Sequence, residues 1–296
     1  MMKIAVIGAG KWGQALAFAL GEKNEVVITS RSKKKLANFV DLKTALEYEY
    51  LVIALPAQAI APWLKDKFIN NNQKILVASK GIDIKSKSFL NTVYMGYVDE
   101  ENLAYISGPS FAFEVQKSLP TALVINRTNA NLAQKYASFF PSFIKTYISD
   151  DIIGAEVSGA YKNIIAIASG LCDGLNLGNN ARASLIARGL VEMERFGVFF
   201  GSQKETFFGL SGAGDLFLTA SSTLSRNYRV GFALAGQKKI DDILKDLGEV
   251  AEGVYTVQAV VAIAKDNAIY TPIANEIEKI IAGKLPQESL IDLLKS

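Results

Sequence analysis

Short apolar runs rich in β-branched residues alternate with helical patterns through the first half of the chain. The runs begin at Lys3 (KIAVIG), Glu25 (EVVITS), Tyr50 (YLVIAL), Lys74 (KILVAS), Leu103 (LAYISG) and Thr121 (TALVIN). Each is short, almost continuously apolar in its centre and bounded by turn residues, the pattern of strands covered on both faces. Between them, WGQALAFALGEKN from Trp12 and ANLAQKYASFF from Ala130 repeat apolar residues at intervals of three and four, the period of a helix packed on one side. Strand and helix in alternation predict an α/β architecture with a doubly wound, mostly parallel sheet.

After IKTYISDD the pattern changes to long helical runs, and no strand is predicted from there to Ser296. Ser149, Asp150 and Asp151 can cap the first of these helices. The boundary therefore falls near residue 149, giving a sheet-containing domain, 1–149, and an all-α domain, 150–296. No proline-rich or low-complexity linker separates them, so the two should pack directly together. Inside the first helix, VSGAYKNIIAIASG places Lys162 on a face with Ser158, Gly159, Ile165, Ala166 and Ser169. That strip of mostly small side chains predicts room for a small ligand beside a lysine.

Composition narrows the chemistry more than the fold. The 296 residues are 50% hydrophobic and 21% charged, as in globular proteins. Net charge is +3, with 32 Lys and Arg against 29 Asp and Glu, too balanced to point to nucleic acid or a membrane surface. The lone Cys172 excludes an intramolecular disulfide or a cysteine-ligated metal and fits a reducing cytoplasm. Histidine is absent, which removes Ser/His/Asp and Cys/His catalysis and histidine-ligated metal sites together. An enzyme with this composition must move protons with Lys, Asp, Glu or Tyr. The apolar N-terminus reaches glycines too soon for a signal-peptide core, and the run 152–171 carries Glu156, Lys162 and Asn163, so neither export nor membrane insertion is expected.

The first predicted strand leads into IAVIGAGKWGQALAFAL, where Gly8, Gly10 and Gly13 have the spacing GxGxxG. The first glycine permits the tight turn, the second lets backbone approach a pyrophosphate, and the third lets strand and helix pack closely. At the head of an alternating strand–helix series this predicts dinucleotide binding. The second strand ends at Ser30 and Arg31, where an NAD site would place an acidic residue; arginine there suits the 2′-phosphate of NADP, with NADH use still open. Other strand ends bring Pro56, Lys80, Gly108, Pro109 and Ser110 toward the same crevice, since ligands of open α/β sheets bind beyond the carboxyl ends of the strands.

GAGKWG, SKG, ISGPSFAFE, the block from Gly159 to Leu190, LSGAGDLFLTA and SRNYRVG together closely resemble the bacterial NAD(P)-dependent glycerol-3-phosphate dehydrogenase family. The resemblance runs from residue 8 to about 253. It implies a Rossmann domain followed by a helical domain like the C-terminal one of 6-phosphogluconate dehydrogenase. It also implies reversible reduction of dihydroxyacetone phosphate to sn-glycerol 3-phosphate with no metal. Lys162 then corresponds to the proton-transferring lysine. Lys80, Gly108, Ser110, Lys162, Asp215, Ser225, Arg226 and Asn227 correspond to substrate contacts, with Arg226 as a phosphate clamp. Gly8, Gly10, Lys11, Trp12, Gly13, Arg31, Lys80, Ala112, Arg226, Val250 and Glu252 correspond to the coenzyme site. Asp215 would orient the lysines and offset their charge, and Thr219, one turn further on, joins the substrate side.

Two departures from the family pattern stand out. The segment from Arg31 to Tyr50 is shorter than usual, and Lys11 replaces what is more often a small polar residue. A reductase of carboxylate-bearing keto or hydroxy acids, and a non-catalytic nucleotide sensor, remain as competing readings. The apolar helical half makes a homodimer a further expectation.

Overall fold

The computed structural model describes residues 1–248, 250–287 and 289; the rest of the predicted helical domain, 249, 288 and 290–296, lies outside the described residues. The first half contains β1 (Lys3–Ile7), α1 (Lys11–Gly21), β2 (Glu25–Thr29), α2 (Leu42–Ala45), β3 (Tyr50–Ile53), α3 (Ala57–Asp66) and β4 (Lys74–Val77). It continues with a small hairpin, β5 (Ile82–Asp83) and β6 (Ser88–Phe89), then α4 (Leu90–Met95), β7 (Leu103–Ser107), α5 (Ala112–Val115), β8 (Thr121–Arg127), α6 (Ala130–Phe139) and β9 (Ile144–Ser149). The second half is α7 (Ile152–Gly174), α8 (Gly178–Phe199), α9 (Lys204–Phe208), a π-helical turn over Leu210–Gly214, α10 (Asp215–Ala220), α11 (Arg226–Leu234), α12 (Ile240–Leu247), α13 (Glu252–Asp266) and α14 (Pro272–Ile281).

Seven strands form one sheet in the order β2-β1-β3-β4-β7-β8-β9. All neighbours are parallel except β7 and β8. The pleat sends alternate residues to opposite faces. Ile4, Val6, Val52 and Leu76 join a core with α1 and α6, while Ala5, Ile7, Leu51, Ile53, Ile75 and Val77 join a second core with α3 and α4. The sheet is therefore doubly wound, and β1 and β3 flank its topological switch point. Six strands are expected from the sequence and the sheet has a seventh, β9. It is an edge strand whose side chains are mostly exposed or half-buried, so it lacks the apolar continuity that marks the others.

At the opposite edge, β2 is paired by a short return of the chain. Ile28 N–H donates to Asn38 O at 3.0 Å, and Val40 N–H donates to Ile28 O at 3.0 Å. This parallel bridge between Ile28 and Phe39 brings the chain back to the strand it has just left. The basic run Arg31–Lys35 is exposed in the loop between.

In the helical half, α7 is the axis. Asp151 caps it, its Oδ1 accepting from Gly154 N at 2.8 Å while Oδ2 accepts from Gln203 N at 3.0 Å. From Gly154 to Cys172 every residue is buried, because α8, α10, α11 and α13 surround the helix and β7 touches its start. Most of the small residues beside Lys162 serve this packing, more than the sequence expectation of open room allowed for, while Gly159 also lines a small cavity. Ser169 Oγ donates to Ala220 O at 2.7 Å, Ile165 lies against Gly189 of α8, and Gly159 accommodates the stem of Lys80. Gly170 and Gly231 let the α7 and α11 backbones meet directly: a Cβ on Gly231 would run into Ile167 O.

Gly231→Ala should therefore force α7 and α11 apart and lower stability by about 2 kcal/mol or more, measurable as a fall in the midpoint of urea or thermal unfolding.

Candidate active site

Three elements converge at the carboxyl end of the sheet. Lys80 follows β4, Lys162 sits mid-way along α7, and Asp215 opens α10 directly after the π-helical turn LSGAG. The turn is glycine-rich for a steric reason: a Cβ on Gly212 would collide with the Phe207 backbone. An extra residue in a helical turn re-aims the side chains beyond it, and here it delivers Asp215 inward, with its side chain 2% exposed. Asp215 Oδ2 accepts from Lys80 Nζ at 2.8 Å, and Oδ1 lies 2.5 Å from Lys162 Nζ. One buried carboxylate thus bridges two ammonium groups, which leaves the cluster with one positive charge in excess.

Burial is the largest influence on Lys162, and with the Lys80 charge nearby it pulls the ammonium down to about 8 against the opposing Asp215 carboxylate. Burial alone would raise the Asp215 carboxyl, but the two ammonium groups together hold it below the usual carboxylate range. At neutral pH the arrangement is a lysine still protonated yet close to giving up its proton.

The surroundings fix this cluster. Asn227 Nδ2 donates to Asn163 Oδ1 at 2.9 Å, and Gly253 N donates to Asn227 Oδ1 at 3.0 Å, which ties α7, α11 and the start of α13 together. Ser225 caps α11, its Oγ accepting from Tyr228 N at 3.3 Å, so Arg226 is the first residue of that helix. Burial raises the Glu252 carboxyl, against the Arg226 charge beside it. Thr219 Oγ1 donates to Asp215 O at 2.7 Å. Gly108 takes φ +107° after β7, a left-handed turn that favours glycine, and Ser110 Oγ turns back to Gly108 O at 3.3 Å.

The coenzyme-side residues gather along the same edge. Gly8 has φ +117°, and a Cβ there would strike Ala54 O, while one on Gly13 would strike Gly8 O; Gly10 faces open space. No side chain caps α1, and Trp12 Nε1 is buried without a hydrogen-bond partner. Open amides at a helix start, a glycine cradle and an orphaned donor suit a pyrophosphate. Ala112 begins α5, which packs against α1. Val250 and Glu252 line a cleft of about 300 Å³ with Pro56, Ala57, Gln58 and Thr256. Arg31 stands exposed beyond the end of β2. Among the described residues no cluster suited to a metal ion occurs and no helix is long and apolar enough to cross a membrane.

The model of the NAD-dependent glycerol-3-phosphate dehydrogenase C-terminus matches residues 151–292, and that of the N-terminus matches 3–41 and 29–133. The chain belongs to the NAD-dependent glycerol-3-phosphate dehydrogenase family. It is 62% identical over 294 residues to a Nitratiruptor protein named glycerol-3-phosphate dehydrogenase [NAD(P)+], covering 99% of this chain and 98% of the relative. A Campylobacter lari protein of the same name is 62% identical over 295 residues, 100% of this chain and 98% of that one. The crystal structure of glycerol-3-phosphate dehydrogenase from Coxiella burnetii superposes with a TM-score of 0.93 at 33% identity, covering 100% and 99% of the two chains.

In this glycerol-3-phosphate dehydrogenase family member the sequence motifs point to Lys80, Lys162 and Asp215, and the fold brings them into ion contact. They leave out the lining residues Ala57, Gln58 and Thr256, which lie in helix starts of ordinary composition and carry no motif. They also leave out the hydroxyl chain behind the π-helical turn, where Ser107 and Ser211 Oγ meet at 2.7 Å and Asn126 Nδ2 donates to Ser107 Oγ at 2.9 Å. The serine after LAYI and the serine of LSGAG were the available signals.

Removing the bridging charge should release Lys162 to the influence of burial and Lys80. In Asp215→Asn the Lys162 ammonium is expected to titrate below its native value of about 8, read from the ¹³Cε shift of labelled lysine against pH.

Proposed function

We propose that this protein reduces dihydroxyacetone phosphate to sn-glycerol 3-phosphate, reversibly, using NADPH in preference to NADH. The product feeds glycerophospholipid synthesis. The observation that carries this reading is the buried Asp215 held between Lys80 and Lys162, in a chain whose relatives are named glycerol-3-phosphate dehydrogenase [NAD(P)+].

A bound nicotinamide coenzyme supplies the hydride. The chain supplies everything else. As the carbonyl carbon gains its new C–H bond, the C=O π electrons move onto oxygen, and Lys162 Nζ gives a proton to that oxygen and is left as a neutral amine. Lys80 keeps a positive charge beside the developing alkoxide, and Asp215 holds both nitrogens in place. Arg226 is read as the phosphate clamp, since its planar fork meets two oxygens and it stands at the start of α11 with Ser225 and Asn227 adding polar groups. Gly108 and Ser110 complete the substrate side from the end of β7. Gly8, Gly10, Lys11, Trp12 and Gly13 take the pyrophosphate, Ala112, Val250 and Glu252 flank the coenzyme, and Arg31 meets the adenosine 2′-phosphate.

The same reading divides the chain into a coenzyme-binding domain, 1–149, and a substrate and catalytic domain, 150–296. It places the protein in the cytoplasm, supported by the single, buried Cys172. It includes a homodimer, supported by exposed apolar side chains on the helical half such as Val191, Phe199 and Phe232.

Loss of absorbance at the nicotinamide band with dihydroxyacetone phosphate tests the reaction. Turnover of carboxylate-bearing keto acids in its place overturns it. Lys162→Met should still bind NADPH while kcat falls roughly a hundredfold or more. The pH dependence comes from the protonation each direction needs. Ketone reduction requires the ammonium, so kcat/KM should be level below the Lys162 titration near 8 and fall about tenfold per pH unit above it, whereas alcohol oxidation should rise through the same range. Arg31→Asp should weaken NADPH binding much more than NADH binding in fluorescence titrations, and equal weakening refutes the 2′-phosphate role.

A further inference from the structure

Gln58 is the second residue of α3, on the wall of the cleft shared with Val250 and Glu252, and the reaction above gives it no task. Both heteroatoms of its carboxamide are engaged by one stretch of backbone. Nε2 donates to Ile82 O at 2.7 Å, and Oε1 accepts from Ile84 N at 3.0 Å. A carbonyl and the N–H two residues on share one edge of a strand, so the amide takes the place of a neighbouring parallel strand beside β5. A flipped amide would set oxygen against oxygen and N–H against N–H, which fixes its orientation.

The stretch it holds directly follows Lys80. β5 and β6 are two residues each, too short a pair to keep its shape unaided. Gly81, between Lys80 and Ile82, has φ +133°, and a Cβ there would press on Ala57, the residue before Gln58. On the other side of Lys80, Ser79 Oγ donates to Leu55 O at 2.6 Å, in the turn between β3 and α3. The Lys80 backbone is thus tied to the start of α3 from both sides. From there its stem crosses Gly159, and its Nζ meets Asp215 Oδ2 at 2.8 Å. The stem is flexible and the side chain 18% exposed, so water would take the ammonium if the backbone drifted.

We propose that Gln58 is a positioning residue that keeps Lys80 on Asp215 by clamping the strand that follows it. The inference rests on the reading in which Lys80 supports proton transfer from Lys162. Lys162 faces Asp215 from α10 and Lys80 from the loop after β4, with Glu252 of α13 in the field of both lysines. Lys80 is a like charge that lowers Lys162, so its departure from the cluster has a signature: the Lys162 ammonium titrates higher. Looser burial would also raise Lys162. What separates the two causes is whether the shift needs Lys80.

Gln58→Leu keeps most of the bulk and removes both hydrogen bonds. The Lys162 titration, read from the ¹³Cε shift of labelled lysine, should move up by about half a pH unit or more. With dihydroxyacetone phosphate, kcat/KM should fall about tenfold while NADPH binding stays near that of the wild type. In a Lys80→Ala background, where the clamp has no ammonium left to place, the same substitution should move the titration and kcat/KM little further. A titration unmoved by Gln58→Leu, or one that moves equally with and without Lys80, overturns the proposal. So does a loss confined to NADPH affinity, which marks a coenzyme contact. Should Gln58→Leu not fold, Gln58→Glu is read in the same way, since it keeps the acceptor for Ile84 N–H and sets a carboxylate oxygen against Ile82 O. The titration needs no turnover, so a wild-type protein inactive on dihydroxyacetone phosphate sinks the functional reading, while the ¹³C data still decide the role of Gln58.

Discussion

A carboxylate with two ammonium groups, removed from water, is the constraint around which this molecule is organised. Burying any one of these charges alone costs several kcal/mol even after relaxation. Together, Asp215, Lys80 and Lys162 offset one another only if all three arrive in register, from a loop after β4, the middle of α7 and the first turn of α10. The contact therefore spans the sheet and the helical half, and it needs them docked. The leftover positive charge gives the cluster an affinity for anions that a neutral pair of groups would lack.

That demand explains the character of α7. A helix exposed on one side would leave Lys162 free to reach solvent and titrate as an ordinary lysine. Burial from Gly154 to Cys172 prevents this, and it is achieved with glycine, alanine and serine because four neighbouring helices must approach at close range. Gly170 lies against the backbone of Tyr228 and Phe232, Gly231 against that of Ile167 and Leu171, and the Asn163–Asn227–Gly253 chain adds polar contacts between the same helices and α13. Packing and proton affinity are here two results of one choice of side chains.

Much of this was legible in the sequence, though unevenly. Six strands were readable because parallel strands buried on both faces are apolar throughout, and the GxGxxG turn because its glycines answer to specific steric limits. β9 was not, since an edge strand with one half-exposed face shows no such run. The strip beside Lys162 was correctly placed on one helical face, yet periodicity says which residues share a face and not what covers it; neighbouring helices cover most of it. Asp215 could be named from LSGAGD, but its bridging of two lysines depends on a π-helical turn whose re-aiming effect no local pattern discloses. Glu156 is legible in the sequence only as an acid in an apolar helix, because its Oε2 being buried without a partner is a property of the packed structure.

The parallel bridge that pins Phe39 back onto Ile28 bears on how the basic loop recognises anything. A loop fastened to the same strand at both ends samples few conformations, so little chain entropy is lost when it settles around an anion. In the proposed coenzyme role of Arg31, more of the contact it makes would then survive as affinity. A short return segment, which at first sight only limits contact surface, would thus also supply preorganisation.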